Sequence, residues 1–154
     1  MPRSASETKA FKAAMPKFEK IAFVSSDTEE AETARETLAA RYGETAPANA
    51  DVIVALGGDG FMLETIHRFL ELGIPIYGMN RGSVGFLMNP YSDGDLIRQI
   101  REAESAKLHP LHMVAHLDSG ARVELQAMNE VSMLRETRQA AKLRIHVDGV
   151  VRLE

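Results

Sequence analysis

The apolar run Val52-Ile53-Val54-Ala55-Leu56 passes without a spacer into Gly57-Gly58-Asp59-Gly60, and the residues that follow place Met62, Leu63, Ile66, Phe69 and Leu70 on one helical face. A buried strand that turns at once into an amphipathic helix is the building unit of an α/β sheet. Three glycines in four residues exceed what a tight turn demands. The pattern predicts that Gly57, Gly58 and Gly60 take positive φ and present bare N–H groups to an anion, with the positive end of the following helix adding to the attraction. Asp59 is the odd member of this turn. A carboxylate repels bound phosphates unless it coordinates Mg²⁺, accepts a proton from an attacking hydroxyl, or does both. The plainer reading of Asp59 is a helix cap.

The flanking segments repeat the same alternation. Ile21-Ala22-Phe23-Val24 reads as a buried strand, and Asp27-Thr28-Glu29-Glu30 matches the pattern that opens a helix, with Ala31, Ala34 and Leu38 on its buried face. Ile74 to Met79 reads as a third strand with Pro75 near its start, after Gly73 stops the preceding helix. A further helix is expected from about Ser92 to Glu104, with Leu96, Ile97, Ile100 and Ala103 facing inward. Strands alternating with helices argue for a doubly wound parallel sheet, in which ligands bind at the carboxyl ends of strands. Both glycine-rich loops, 57–60 and 80–89, fall there.

Beyond residue 106 the period becomes that of antiparallel strands. Met113 to Leu117 and Ala121 to Gln126 flank Asp118-Ser119-Gly120, while Leu143 to Val147 and Val150 to Leu153 flank Asp148-Gly149, a strong two-residue hairpin signal. The expected organisation is a mobile leader over 1–18, an α/β nucleotide-binding domain over 19–105, and over 106–154 the start of a β-rich domain. That β domain is expected to be incomplete, because its strands would leave edges open and the last one stops at Glu154.

Charge and composition narrow the function. With 18 basic against 22 acidic residues, a net charge of −4 and no Lys/Arg run, nucleic acid is not an expected partner. The chain has no cysteine, so a disulfide framework, a thiolate metal site and a cysteine nucleophile are excluded, which fits a cytoplasmic protein. No membrane segment is expected, since no apolar stretch approaches the roughly 18 residues that one needs.

Taken together, GGDG at 57–60, NRGSVGFL at 80–87 and the pair Asn129-Glu130 resemble the NAD kinase family, from about residue 20 to the end of the chain. The resemblance implies an N-terminal α/β domain followed by a mainly β domain, with NAD in the cleft between them and phosphorylated on the 2′-hydroxyl of its adenosine ribose to give NADP. It implies ATP or polyphosphate as donor, Mg²⁺ or another divalent cation, and a homo-oligomer assembled through the β domain. On the same resemblance Asp59 corresponds to the proton acceptor, Gly57, Gly58 and Gly60 to the turn beside it, Phe86 to an aromatic position close to the adenosine, and Asn129 and Glu130 to the pair that holds NAD. No residue of the chain is assigned to a metal. Two departures stand out. Phe61-Met62 occupy positions where the family carries Thr and an apolar residue, and the family's second Gly/Ser/Thr-rich run is absent from these 154 residues. The latter suggests a truncated chain and leaves its activity in isolation open.

Other readings compete with these. A lipid or sugar kinase can share the glycine-aspartate turn, and the missing second Gly/Ser/Thr-rich segment suggests a non-catalytic nucleotide-binding or regulatory module. Asn129 and Glu130 are neighbours in an apolar context, and adjacent strand residues point to opposite faces, so both can touch one ligand only if the strand ends, bulges or bends there. Arg81 is equally suited to a phosphate or to solvent. For the 80–86 segment the plainer reading is a flexible connection with a packed Phe86. His109, His112 and His116 do not share one strand face, which makes a three-point metal site awkward. The methionines, Met62, Met79, Met88, Met113, Met128 and Met133, read as core filler.

Overall fold

The computed structural model of the protein describes residues 18–82 and 85–153. The chain divides into two compact units, one ending at Pro110 and the other starting at Leu111. The leader expected over 1–18 lies outside the described residues except for Phe18, which packs against the core of the first unit.

In the first unit a four-stranded parallel sheet runs in the order β1 (Ile21–Ser25), β2 (Val52–Gly57), β3 (Ile76–Asn80) and β4 (Asn89–Pro90). Among the described residues three α-helices accompany it: α1 (Glu29–Tyr42), α2 (Asp59–Phe69) and α3 (Leu96–Glu102). All six residues of β2 are buried, as expected of a strand covered on both faces. Alternate side chains divide between two clusters. Ile21, Phe23, Val52, Val54, Leu56, Tyr77 and Met79 pack with Ala31, Ala34 and Leu38 of α1 and with Leu96 and Ile100 of α3. Ala22 and Ile53 pack on the other side with Phe69, the last residue of α2, and with Ile74 and Ile76. The spacing of Ala31, Ala34 and Leu38 puts two small residues and one large one on a single stripe, which lets α1 lie close to the sheet.

Thr28 caps α1 as the sequence suggests, its hydroxyl accepting from the amide of Ala31 at 3.3 Å. At the end of α2 the chain tightens into a short 3₁₀ turn, Leu70–Leu72, and Gly73 closes it in the left-handed conformation at φ 62°.

Several expectations need correction. The third strand begins at Ile76, so Pro75 precedes it, and the Pro75 carbonyl accepts from Ile53 at 3.0 Å. Helix α3 spans Leu96–Glu102 and not Ser92–Glu104; Ala103 is extended and exposed. The reason lies in its N-terminal side. The Tyr42 hydroxyl donates to the Gly94 carbonyl at 2.5 Å and accepts from the Leu96 amide at 3.1 Å, while Asp95 accepts from Arg98 at 3.1 Å, so residues 92–95 serve as the cap. The two-residue strand β4 has no sequence signature of its own, because two residues are too few to show a period.

One contact joins the starts of β1 and β2. Asp51 accepts the amides of Lys20 at 2.9 Å and Glu19 at 3.0 Å, and these two donors hold its carboxyl below the usual carboxylate range. A carboxylate depressed in this way contributes stability that is present above its unfolded pKa and is lost as pH falls through the folded value. The variant Asp51→Asn is therefore expected to lower the melting temperature at neutral pH and to flatten its fall below about pH 4. Thermal melts from pH 7 down to pH 2 check this; parallel curves for variant and parent would refute it.

The second unit contains two separate antiparallel pairs: β5 (Leu111–His116) with β6 (Arg122–Ala127), and β7 (Ile145–Val147) with β8 (Val150–Leu153). Asp148 and Gly149 take φ of 51° and 79°, the two left-handed residues that a tight hairpin of this kind requires. Both pairs leave apolar side chains exposed, among them Leu125, Ile145, Val150 and Leu153. Met133, read as core filler, is likewise exposed, whereas Met79 is fully buried in the first unit.

Candidate functional site

Gly57 ends β2 and Asn80 ends β3, and the two are register partners in adjacent parallel strands. The two glycine-bearing segments therefore leave the sheet side by side at its carboxyl edge, although 22 residues of chain lie between Gly57 and Asn80. The Arg81 amide donates to the Gly57 carbonyl at 2.8 Å, and Asn80 Oδ1 accepts from the Gly82 amide at 2.8 Å, curling the second loop back over the first.

The glycine turn does not work as the sequence suggests. None of Gly57, Gly58 and Gly60 has positive φ; Gly58 is extended at φ −107° and ψ −177°, and α2 starts immediately after it. What glycine supplies here is room. A Cβ on Gly57 would come 2.9 to 3.0 Å from the side chain of Phe61, whereas at Gly58 and Gly60 it would meet nothing within 4 Å. Phe61 is thus accommodated by Gly57.

Asp59 is the first residue of α2, and Gly58 before it forms the cap without any side-chain hydrogen bond. The cap reading of Asp59 is accordingly set aside. Its carboxylate turns instead to the neighbouring loop, where Oδ2 accepts from the Phe86 amide at 2.7 Å and Oδ1 from the Leu87 amide at 3.0 Å. The first turn of α2 keeps amides without a capping side chain, and the helix dipole adds to their pull on a negative group.

Phe86 is held by its backbone, while its side chain is 100% exposed, so the plainer alternative of a packed Phe is set aside. Ser83 and Val84 of the same segment lie outside the described residues. Arg81 is neither purely solvated nor aimed at the turn: its guanidinium stacks 4.1 Å above the Tyr91 ring, and Nε donates to the Glu30 carbonyl at 3.3 Å. It ties the second loop to the start of α1.

Asn129 and Glu130 belong to the second unit. They are not strand residues, since β6 stops at Ala127 and the chain bends at Met128 and Asn129. The alternation that would send them to opposite faces no longer applies, and the Asn129 amide lies 3.4 Å from Glu130 Oε2, both side chains being exposed. His112 and His116 lie on β5, with His112 Nε2 3.8 Å from Glu124. Among the described residues no three His, Cys, Asp or Glu side chains are grouped so that they could hold a metal ion.

A family model describing the ATP-NAD kinase N-terminal domain matches residues 5–110, which end where the first unit ends. The chain belongs to this family. Among curated proteins it is similar to the NAD kinase of Caulobacter vibrioides, 59% identical over 134 residues, which make up 87% of this chain and 52% of that protein. The NAD kinase of Xylella fastidiosa is 53% identical over 135 residues, 88% of the chain and 52% of the relative. That of Rhizobium meliloti is 51% identical over 138 residues, 90% and 54% respectively. The chain spans about half the length of the curated relatives it matches.

Within this ATP-NAD kinase N-terminal domain, Gly85 and Leu87 are the residues that sequence reasoning passed over. The signal available for them was the second glycine of NRGSVGFL. Nothing in the linear pattern says which glycine of that run meets Asp59.

Proposed function

We propose that the protein carrying this chain is a NAD kinase, which transfers the terminal phosphoryl group of ATP or polyphosphate to the 2′-hydroxyl of the adenosine ribose of NAD. The observation that supports it most is the pairing of Gly57 with Asn80, which sets the Asp59 turn against the 80–87 loop in a chain of the ATP-NAD kinase N-terminal domain family. Residues 19–105 then serve as the nucleotide-binding domain and 106–154 as the start of the domain that holds NAD.

The chemistry asks for charge neutralisation at the phosphates and a hydroxyl aimed in line with the terminal phosphorus. The open space at Gly58 and Gly60 lets an anion approach the amides at the start of α2. Asp59 accepts the proton of the ribose hydroxyl as its oxygen bonds to phosphorus, and the bond from phosphorus to the donor's bridging oxygen breaks to release the shortened phosphate. Phe86 offers an exposed aromatic face to the adenine, and Asn129 and Glu130 offer donor and acceptor groups to ribose hydroxyls. A divalent cation such as Mg²⁺ suits this site as a companion of the donor's phosphates, since that ion binds through one or two carboxylates plus phosphate and needs no protein cage. Asp59 is the carboxylate within the turn.

We place the protein in the cytoplasm, with NAD and ATP as ligands and with neither nucleic acid nor membrane as partner; no described helix is long and apolar enough to cross a membrane. Self-assembly into an oligomer fits the exposed apolar strand residues of the second unit.

Incubating the full-length protein with Mg²⁺, ATP or polyphosphate, and NAD, diacylglycerol or fructose 6-phosphate tests the proposal. NADP is the expected product. Phosphorylation of either of the other acceptors in place of NAD would refute it, as would tight binding of NAD and ATP without turnover, which marks a binding module.

A further inference from the structure

Gly85 stands against the carboxyl group of Asp59. A Cβ at this position would lie under 3.0 Å from Oδ1, Cγ and Oδ2 of Asp59, closer than real Cβ atoms come to a neighbour. Glycine at 85 therefore supplies space at the Asp59 side chain.

That space has a consequence for the carboxylate. The next two amides, of Phe86 and Leu87, each bind a different oxygen, at 2.7 and 3.0 Å. Two donors on two oxygens fix both the position and the plane of the group, whereas one donor would leave it free to rotate. Each oxygen accepts one N–H and keeps a lone pair for another partner. A helix-start aspartate would ordinarily cap its own helix; here it is drawn across to the loop.

We propose that Gly85 is a positioning residue for Asp59: the missing side chain at 85 lets the Phe86 and Leu87 amides seat and orient the carboxylate that takes the ribose proton. The role in turnover rests on the kinase reading above; the steric clasp does not. In the transfer step the proton passes from the ribose hydroxyl to Asp59, the new oxygen–phosphorus bond forms and the bond to the donor's leaving phosphate breaks, so a base turned away by an ångström costs rate and not nucleotide binding.

The test is a cycle of variants in the full-length protein: Gly85→Ala, Asp59→Ala and the two together. Gly85→Ala alone is expected to lower kcat by about 100-fold with KM for NAD within about threefold, and to lower the melting temperature by about 4 °C or more. In the Asp59→Ala background the carboxyl group is gone, so the same Gly85→Ala change is expected to cost less than about 1 °C. An equal loss of melting temperature in both backgrounds would show that residue 85 meets something other than Asp59 and would overturn the proposal. Coupled melting temperatures with an unchanged kcat for Gly85→Ala would overturn it as well, since the clasp would then serve structure alone. Failure of the parent protein to phosphorylate NAD refutes the kinase reading separately, and is seen before any variant is made.

Discussion

The variant Asp59→Asn, made in the full-length protein, is expected to lower kcat for NAD phosphorylation by about 10²- to 10⁴-fold, the range that a positioned general base contributes. Asparagine keeps the size of the side chain but has little basicity and carries one acceptor oxygen where aspartate has two. It can therefore satisfy either the Phe86 or the Leu87 amide, and its own NH₂ then faces the other N–H. The expected result has two parts: turnover falls steeply, and the 85–87 segment loosens. NAD binding, followed by calorimetry, is expected to stay measurable, because the residues proposed to meet NAD, Phe86, Asn129 and Glu130, are left chemically intact by the substitution. Near-normal turnover would remove Asp59 from the role of base.

The largest effect on stability is expected at Leu56. Its side chain is fully buried, and its strand β2 lies between β1 and β3, with Ser25 and Met79 as its register partners. The Leu56 carbonyl also accepts from the Ser26 amide at 2.9 Å, so the residue sits where the ends of two strands are joined. Leu56→Ala removes buried methyl groups and leaves a cavity between the sheet and the helices of its cluster, at a cost of about 2–5 kcal/mol. That is a large share of the roughly 5–15 kcal/mol that hold a domain together. Urea unfolding with an unchanged slope and an earlier midpoint is the expected outcome. A loss below about 1 kcal/mol would mean that the core around Leu56 closes over the gap. Because Leu56 directly precedes Gly57, part of the damage should also be felt at the glycine turn.

Much of the first unit was legible in the linear pattern because its signals are local. The buried stripe Ala31, Ala34 and Leu38 needs only the helical period to be seen, and Thr28 needs only its place before it. The run Val52 to Leu56 reads as a strand because five consecutive apolar residues cannot remain in solvent. Asp148-Gly149 is equally local: two residues that tolerate positive φ, between apolar strands, leave a hairpin as the favoured outcome. The readings that failed concern residues whose state is set by a distant partner. Ser92 to Asp95 have the composition of a helix start, but Tyr42, more than fifty residues earlier, holds the Gly94 carbonyl and the Leu96 amide and so delays the helix. The plainer alternative for Phe86, a packed ring, is excluded in the same way by a distant partner, since its backbone amide lies on Asp59 and its ring is exposed. Asn129 and Glu130 read as a strand pair because nothing in their identity announces that β6 ends at Ala127.

The sequence by itself determined the chemistry on offer: a glycine-rich turn with one carboxylate at the junction of a strand and a helix, a second glycine loop, and a parallel sheet to carry them. Those follow from residue type and period, which act over a few residues. Only the tertiary structure decided what the glycines are for and where the carboxylate points. The parallel register places Gly57 beside Asn80, and the space at Gly85 admits Asp59 to the Phe86 and Leu87 amides. Hydrogen bonds and steric limits act over a few ångströms, so no pattern along the chain specifies them until the sheet has brought the two loops together.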